Sequence, residues 1–565
     1  MLQLKDNNLI AYFSMEIGID PEIPTYAGGL GILAGDTLRS MADLGLSAIG
    51  ITLLSETGYI TQELSSDNLQ VEKYERWDLD QYLDRLTPEV IVRIGDEDLF
   101  IRLWQYKITG IHKNEVPIIF LDTNYEKNNA EYRQITKRLY PSNKVYRILQ
   151  EIVLGIGGFK ALEALQLSPS VFHLNEGHSA FLTLEFLDRI SKNPTITDPI
   201  AFVRNRCVFT THTPVASGHD VFPRKIVQQY INDAPLLSKI PHAFDDEDNL
   251  NMTMLALAMC AKVNGVAKKH AETSNKMFPD YRISAITNGV HHSYWTSPSF
   301  HMLFDEFIPA WYEDPFALHG ALTIPDYRIY DAHLENKRNL NQYIMDETSI
   351  LFKKDVITIG YARRITKYKR PDLLFYDLKR LNSIAEKFPM QLVFAGKAHP
   401  DDLVGKSMIN EILNLKPKLH QNIQLVFLKN YDIRVARYII PGVDLWLNTP
   451  KRPLEASGTS GMKASINGVP NLSVLDGWWI EGHIEGITGW SIGAKPAIYG
   501  DNEIVCVDSD DSDDLYYKLD EVILPMFYTN KDEYTKIRKQ CIALIGSYFN
   551  SHRMVEQYLV NSYLT

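Results

Sequence analysis

Short apolar runs that end in Gly, Asn, His or Thr alternate along the chain with longer stretches whose apolar residues recur at helical spacing, the pattern of β-α-β units. In the first half LIAYFSME (9–16), SAIGITLL (47–54), VFHLNE (171–176), CVFTTH (207–212) and SAITNG (284–289) read as strands, with helices such as 144–165 and 178–191 between them. The second half repeats the rhythm at ITIGYA (357–362), QLVFAGK (391–397), IQLVFLKN (423–430), VDLWLN (443–448), PNLSVLDG (470–477) and EIVCVD (503–508). Such alternation predicts an α/β fold of parallel sheets covered by helices. Pro298, Pro309, Pro315 and Pro325 interrupt it, which places a domain boundary there and predicts two doubly wound, Rossmann-like domains, 1–320 and 321–565. Ligands of such domains sit beyond the carboxyl ends of the strands, and two domains that face each other offer one cleft.

Composition narrows the function classes. With 565 residues, 45% of them hydrophobic and 23% charged, the chain can bury two large cores and carries no sign of disorder. A net charge of −12 argues against a general affinity for nucleic acid and makes any basic cluster conspicuous. Cys207, Cys260, Cys506 and Cys541 are far apart with no C-x-x-C pair, so neither a disulfide framework nor a zinc knuckle is expected, and a reducing, cytoplasmic setting is. The first residues lack a basic stretch followed by an apolar one, and no window approaches about 18 uninterrupted apolar residues, so neither an export signal nor a membrane span is expected. The acidic run at 508–514 reads as a solvated loop capping the helix after it.

Candidate chemistry gathers at the predicted strand ends. RRITKYKR places Arg363, Arg364, Lys367, Lys369 and Arg370 just beyond the run 357–362. In an acidic chain this points to a small anionic ligand, with phosphate favoured because Arg grips it bidentately and Lys adds a point charge. TYAGGLGILAGD (25–36) opens a helix after the first strand, where glycines let backbone N–H groups approach an anion; a tight packing turn is the alternative. GIGG (155–158) lies inside a helical pattern and reads as close helix packing. HLNEGH (173–178) offers two histidines and a carboxylate, but not in H-E-x-x-H spacing, so no metal site is expected and Glu176 is either a general acid or a helix cap. His212, Asn288 and Trp295 lie at two further strand ends. In EASGTSGMK (455–463), Ser457, Gly458, Thr459, Ser460 and Gly461 supply donors at a helix start. Lys463 follows, suited either to a phosphate contact or to an imine with a carbonyl cofactor. Glu455 can accept from sugar hydroxyls or hold the loop.

In matched order from residue 10 to beyond 480, the stretches AGGLG, HLNEGH, ITNGV, RRITKYKRP and EASGTSGMKASINGVPNLSVLDGWW resemble the α-glucan phosphorylases, the glycogen and maltodextrin phosphorylase family, in its shorter bacterial and archaeal branch. The resemblance implies a GT-B fold, two Rossmann-like domains facing across a central cleft, with 1–320 on the glucan side and 321–565 binding pyridoxal 5′-phosphate and phosphate. It implies that Lys463 holds the cofactor, that Arg364 and Lys369 bind the substrate phosphate, and that Gly28, Gly29 and Leu30 approach the cofactor and substrate phosphates. His212, Asn288, Glu455, Ser457 and Gly458 then match contacts to the reacting glucose, Thr459 and Ser460 the loop around the cofactor phosphate, and Tyr431 and Trp295 aromatic neighbours of the cofactor. The implied activity is reversible, retaining phosphorolysis of α-1,4-glucans or maltodextrins by inorganic phosphate to α-glucose 1-phosphate. Nucleic acid and membrane are not among the implied partners, and a homodimer is compatible with it.

Two features depart from the larger members. Asp432 stands where they carry an arginine that grips the cofactor phosphate, with Arg434 two residues on, and HHSYW replaces a more basic run. The chain also starts almost at its first strand, so no counterpart of the animal enzymes' N-terminal regulatory region is expected. Two rival functions are a sugar-nucleotide-dependent glucan synthase, which has no use for Lys463, and a non-catalytic glucan-binding homologue, which would not require Lys463, Arg364 and Lys369 together. An aminotransferase-type use of the cofactor lacks an identifiable partner for the pyridinium nitrogen.

Overall fold

The computed structural model describes residues 8–215, 218–231, 234–493 and 507–564. The chain forms two compact units. The first takes the residues up to Ile60, Tyr74–Thr287 and the segment from Met554 onward; the second takes Thr61–Lys73 and Asn288–Arg553. This division falls nearer the start of the chain than residue 320. The reason is packing: Phe300, Leu303, Phe304, Trp311 and Leu318 share one buried cluster with Ile466, Ile542 and Ala543 of the second unit. The prolines of this segment start helices, Pro298 in Pro298–Phe307 and Pro315 in Pro315–Thr323, while Pro325 precedes the long helix Asp326–Thr348.

The first unit is built on a nine-stranded sheet in the order Ser284–Ala285, Lys262–Gly265, Cys207–Thr210, Val171–Asn175, Ile10–Ser14, Ala48–Leu53, Glu115–Asp122, Glu97–Thr109, Asp84–Ile94. All neighbours pair in parallel except along the last two strands, which form an antiparallel meander with Glu115–Asp122. Alternation along each strand feeds two cores: Ala11 and Phe13 face one, Ile10 and Tyr12 the other. The helical pattern at 144–165 folds as Lys144–Ile152 and Gly158–Ala164 around a π turn at Val153–Gly157. The GIGG stretch packs as expected: a Cβ on Gly155 would come within 2.6 Å of the Leu182 nitrogen, and one on Gly158 within 2.7 Å of Phe13.

The second unit carries a six-stranded, all-parallel sheet in the order Ile423–Leu428, Met390–Ala395, Ile357–Ala362, Leu445–Asn448, Asn471–Val474, Gly489–Ile492. Five of these strands match apolar runs in the sequence, and Gly489–Ile492 is additional. The run EIVCVD and Cys506 lie largely or wholly outside the described residues. The acidic run is a correction: Asp508–Tyr517 is helical rather than a loop. It is drawn in by charge, since Asp511, 1% exposed, accepts from both Arg370 and Arg452 at 2.6 Å, and Asp508 pairs with Arg370 at 2.8 Å. Among the described residues no helix is long and apolar enough to cross a membrane.

Candidate active site

In the second unit the sequence-predicted residues converge where three parallel strands end. Ile357–Ala362 delivers Arg363, Leu445–Asn448 leads into the stretch that carries Glu455 to Lys463, and Asn471–Val474 leads to Asp476. The density of small residues has a steric cause. Gly458 (φ 81°) and Gly477 (φ 54°) take left-handed backbone, and a Cβ on Gly477 would meet the Ser457 carbonyl oxygen at 2.3 Å. A Cβ on Gly461 would lie 2.4 Å from Asn471 Oδ1. The two turns therefore nest against each other and leave room for little else.

Glu455 is the electrostatic centre of this loop. Both its oxygens accept from Lys369 Nζ at 2.7 Å, and Oε2 also accepts from Arg363 Nη2 at 2.6 Å. Burial pushes its pKa up, but the two cations outweigh that and bring it to about 2. Its backbone N–H donates to Asp476 Oδ2 at 2.9 Å, and the Gly477 N–H donates to Asp476 Oδ1. Burial, with the Glu455 charge adding to it against those two N–H groups, raises Asp476 to about 7. Glu455 thus ties Lys369 and Arg363 to the loop.

The run RRITKYKR divides by destination. Arg363 and Lys369 clamp Glu455, and Arg363 also donates to Asn448. Arg370, in left-handed backbone (φ 46°), is spent on Asp508, Asp511 and two carbonyls. Arg364 and Lys367 are exposed, and among the described residues their side chains form no ion pair.

Lys463 lies in the short helix Ser460–Ile466, preceded by Thr459, which makes no side-chain cap. It is buried, with Nζ 3.9 Å from the centre of the Trp295 ring. Asn467 secures the pair by donating to the carbonyls of both Trp295 and Lys463 at 2.8 Å. Ser460 Oγ accepts from Trp446 Nε1. The buried Ser457 Oγ and Asn288 Oδ1 have no hydrogen-bond partner among the described residues. Burial raises the Tyr431 pKa, Arg363 opposes that and Asp432 adds to it. Asp432 caps the helix Ile433–Gly442 by accepting from the Val435 N–H, and Arg434 is exposed on that helix.

In the first unit, Gly28, Gly29 and Leu30 stand at the start of the helix Gly29–Asp43. The N–H groups of Ala27 and Gly28 donate to Glu16 Oε2 at 2.5 and 3.1 Å, so the chain's own carboxylate takes this anion position. Space is open at Gly28 and Gly29, where an added Cβ meets nothing within 4 Å. His212 Nε2 bonds Asn175 Oδ1 at 2.6 Å, and its backbone N–H donates to Glu176. Burial, helped by His270, His173 and His178, lowers His212 to about 3, leaving it neutral at ordinary pH. Glu176 caps Gly177 and also accepts from Thr213, a structural role. His173 bonds Tyr563 and Thr210 within the core.

The sequence does not distinguish Arg363, which pairs with Glu455, from its neighbour Arg364, and marks Asp476 only by the Asp-Gly at a strand end. Glu16 left no signal beyond its place at the end of the first strand.

The sequence pattern of the Carbohydrate phosphorylase family matches residues 215–485. A maltodextrin phosphorylase of Thermococcus litoralis is 35% identical over 98% of this chain and 70% of its own length. A glycogen phosphorylase of Aquifex aeolicus is 33% identical over 98% of this chain and 86% of its own. An uncharacterized protein of Methanocaldococcus jannaschii is 31% identical over 98% of this chain and 99% of its own. With a buried lysine set against a tryptophan, a cation-clamped carboxylate and small-residue turns at its strand ends, and with these relatives matching it nearly end to end, the chain belongs to the carbohydrate phosphorylase family.

Proposed function

We propose that this protein catalyses reversible, retaining phosphorolysis of α-1,4-glucans or maltodextrins by inorganic phosphate, releasing α-glucose 1-phosphate in the cytoplasm, with pyridoxal 5′-phosphate attached at Lys463. The first unit takes the glucan and the second the cofactor and phosphate, as the two halves of a GT-B enzyme. The observation that carries this reading is the setting of Lys463: a buried amine against an aromatic ring, on the same loop as the unpartnered Ser457 Oγ and the clamp of Arg363, Lys369 and Glu455. These residues fit a phosphorylated aromatic aldehyde, since an amine, a flat apolar wall and a cationic rim are what such a group requires.

When bound, the cofactor supplies a phosphate group able to exchange a proton with the substrate phosphate. The chain's own residues do the rest. Arg364, exposed and without an ion pair, is available to grip the incoming phosphate. Arg363 and Lys369 add positive potential that Glu455 and a partly ionised Asp476 only partly cancel. His212, held neutral and oriented by Asn175, offers the sugar a fixed hydrogen-bonding ring. No acid/base carboxylate pair is needed. Among the candidate carboxylates in the second unit, Glu455 is locked as an anion by its cations.

The test is incubation of purified protein with maltodextrin and phosphate in the absence of nucleotide, with assay for α-glucose 1-phosphate. Glucosyl transfer from a sugar nucleotide, with no phosphate-dependent release, overturns the reading and favours a synthase. Arg364→Ala separates the two further. A charge-assisted contact is worth about 2 to 3 kcal/mol, so the variant is expected to lose roughly tens to a few hundredfold in kcat/KM for phosphate. The loss with varied glucan should be much smaller. Equal losses on both axes would remove Arg364 from the phosphate site.

A further inference from the structure

Residues Thr61–Leu64 and Gln70–Lys73 form an antiparallel hairpin that belongs to the second unit, far from it in sequence. Two of its side chains are glutamines, Gln62 and Gln70, only 2% and 6% exposed. A buried amide is costly unless its donors and acceptors find partners, and here they do. Gln62 Oε1 accepts from the Asn430 N–H at 2.9 Å, and Gln62 Nε2 donates to the Gly396 carbonyl at 2.8 Å and to Gln70 Oε1 at 2.9 Å. The Gln62 backbone N–H donates to Asn430 Oδ1. Gln70 completes the bracket, accepting from the Ala398 N–H and donating to the Ala398 carbonyl, both at 3.0 Å. One side chain thus ties together the loops that follow the strands Met390–Ala395 and Ile423–Leu428. The first of these loops lies directly on the basic run: a Cβ on Gly396 would be 2.0 Å from the Arg363 carbonyl, and the Ile365 N–H donates to the Lys397 carbonyl at 3.0 Å.

What the bracket holds is chemically pointed. Lys397 sits between its two anchor points, and Tyr431 and Asp432 follow Asn430 directly. Burial lowers the Lys397 pKa to about 8, against the Asp432 carboxylate, which favours its charge. Tyr431 in turn senses both Arg363 and Asp432. We propose that Gln62 is a positioning residue for the phosphate site: by bracing both loops it holds the Lys397 backbone, between Gly396 and Ala398, against the Arg363–Ile365 stretch, where Lys397 serves as a further cation for a phosphate group. This rests on the phosphorolysis reading. The recognised chemistry is a phosphate dianion, whether the cofactor's or the free substrate's.

The experiment compares Gln62→Leu, Gln62→Glu, Lys397→Met, the double variant Gln62→Leu with Lys397→Met, and Lys406→Ala. Lys406→Ala breaks the Glu72–Lys406 ion pair, whose Glu72 oxygen also accepts from Gln70, while leaving every Gln62 hydrogen bond to the two loops in place. If the phosphate is the substrate's, Gln62→Leu and Lys397→Met each raise the KM for phosphate by roughly tens of fold, the lower end of what one charge-assisted contact is worth, with the KM for maltodextrin within about twofold. If it is the cofactor's, both instead speed the loss of pyridoxal phosphate on dialysis by about the same factor, followed by its absorbance. In either case the double variant is no worse than Lys397→Met alone, because one acts through the other, and Lys406→Ala behaves as wild type. Gln62→Glu, which keeps the size and the acceptor but loses both side-chain donors and sets a carboxylate against the Gly396 carbonyl and Gln70 Oε1, gives the same effect should the leucine variant fail to fold. The proposal is overturned if the variants lose only melting temperature and kcat, if the effects of Gln62→Leu and Lys397→Met multiply, or if Lys406→Ala matches Gln62→Leu. Absence of glucose 1-phosphate from the wild type would instead overturn the phosphorolysis reading itself.

Discussion

Lys463→Ala is expected to give a folded protein that holds no covalently attached pyridoxal phosphate and has no measurable phosphorolysis. Alanine is a good helix former at a helical position, and the Asn467 amide that ties the helix to Trp295 bonds the carbonyl of residue 463, which the substitution keeps. What disappears is the only lysine in the loop and the cation over the Trp295 ring. Lys463→Arg separates these two losses, because it keeps a cation there but cannot condense with an aldehyde. Both variants should fall further than the roughly 10²–10³-fold that loss of a single stabilising donor costs. Borohydride reduction followed by peptide mapping checks the attachment directly: a pyridoxyl peptide at 463 in the wild type and none in either variant. A reducible adduct surviving in Lys463→Ala would move the cofactor to another residue.

The parts of the fold and site that were legible in the sequence are those governed by local rules. Strands such as Ile357–Ala362 and Leu445–Asn448 are buried from end to end, so apolar runs closed by turn residues mark them well. The meander Asp84–Ile94, Glu97–Thr109 carries charged residues at its outward positions and does not read as a buried run. The choice between Arg363 and Arg364 was not legible for a geometric reason. Neighbouring residues on extended backbone point to opposite sides, and spacing alone cannot say which side meets a glutamate 92 residues further on. The acidic run reads as a loop for a related reason, since its helix is tied by Asp511 to arginines at 370 and 452. Gln62 gave no signal at all, as glutamine in a short polar hairpin looks like surface until its partners at 396 and 430 are known.

Asp444→Asn carries the largest expected stability cost in the second unit, and the cost should shrink on acidification. Asp444 precedes the strand Leu445–Asn448 and is almost wholly buried with Lys337, Arg538 and His333. It accepts from Lys337 Nζ at 2.6 Å, from His333 Nε2 at 2.8 Å, from Arg538 Nη2 at 2.9 Å and from the Thr358 N–H at 2.8 Å. Removing its charge leaves two cations buried without their counter-ion, and breaking such a cluster costs about 3–5 kcal/mol. Burial alone would raise the Asp444 pKa, but Lys337, His333 and Arg538 hold it far below the usual carboxylate range. A depressed carboxylate stabilises the fold fully above its unfolded value of about 4 and loses that contribution as pH falls towards its folded value. His333 works in the same direction, since burial lowers it to about 4. The unfolded chain therefore takes up that proton first, from about pH 6.5 downward. Denaturant unfolding of wild type and Asp444→Asn should accordingly differ by about 3–5 kcal/mol near neutral pH and draw together below about pH 4. A gap of under about 1 kcal/mol, the size of a surface pair, or one that stays constant with pH, would mean that Lys337 is neutral in the folded protein and that the cluster is held by hydrogen bonds rather than by charge.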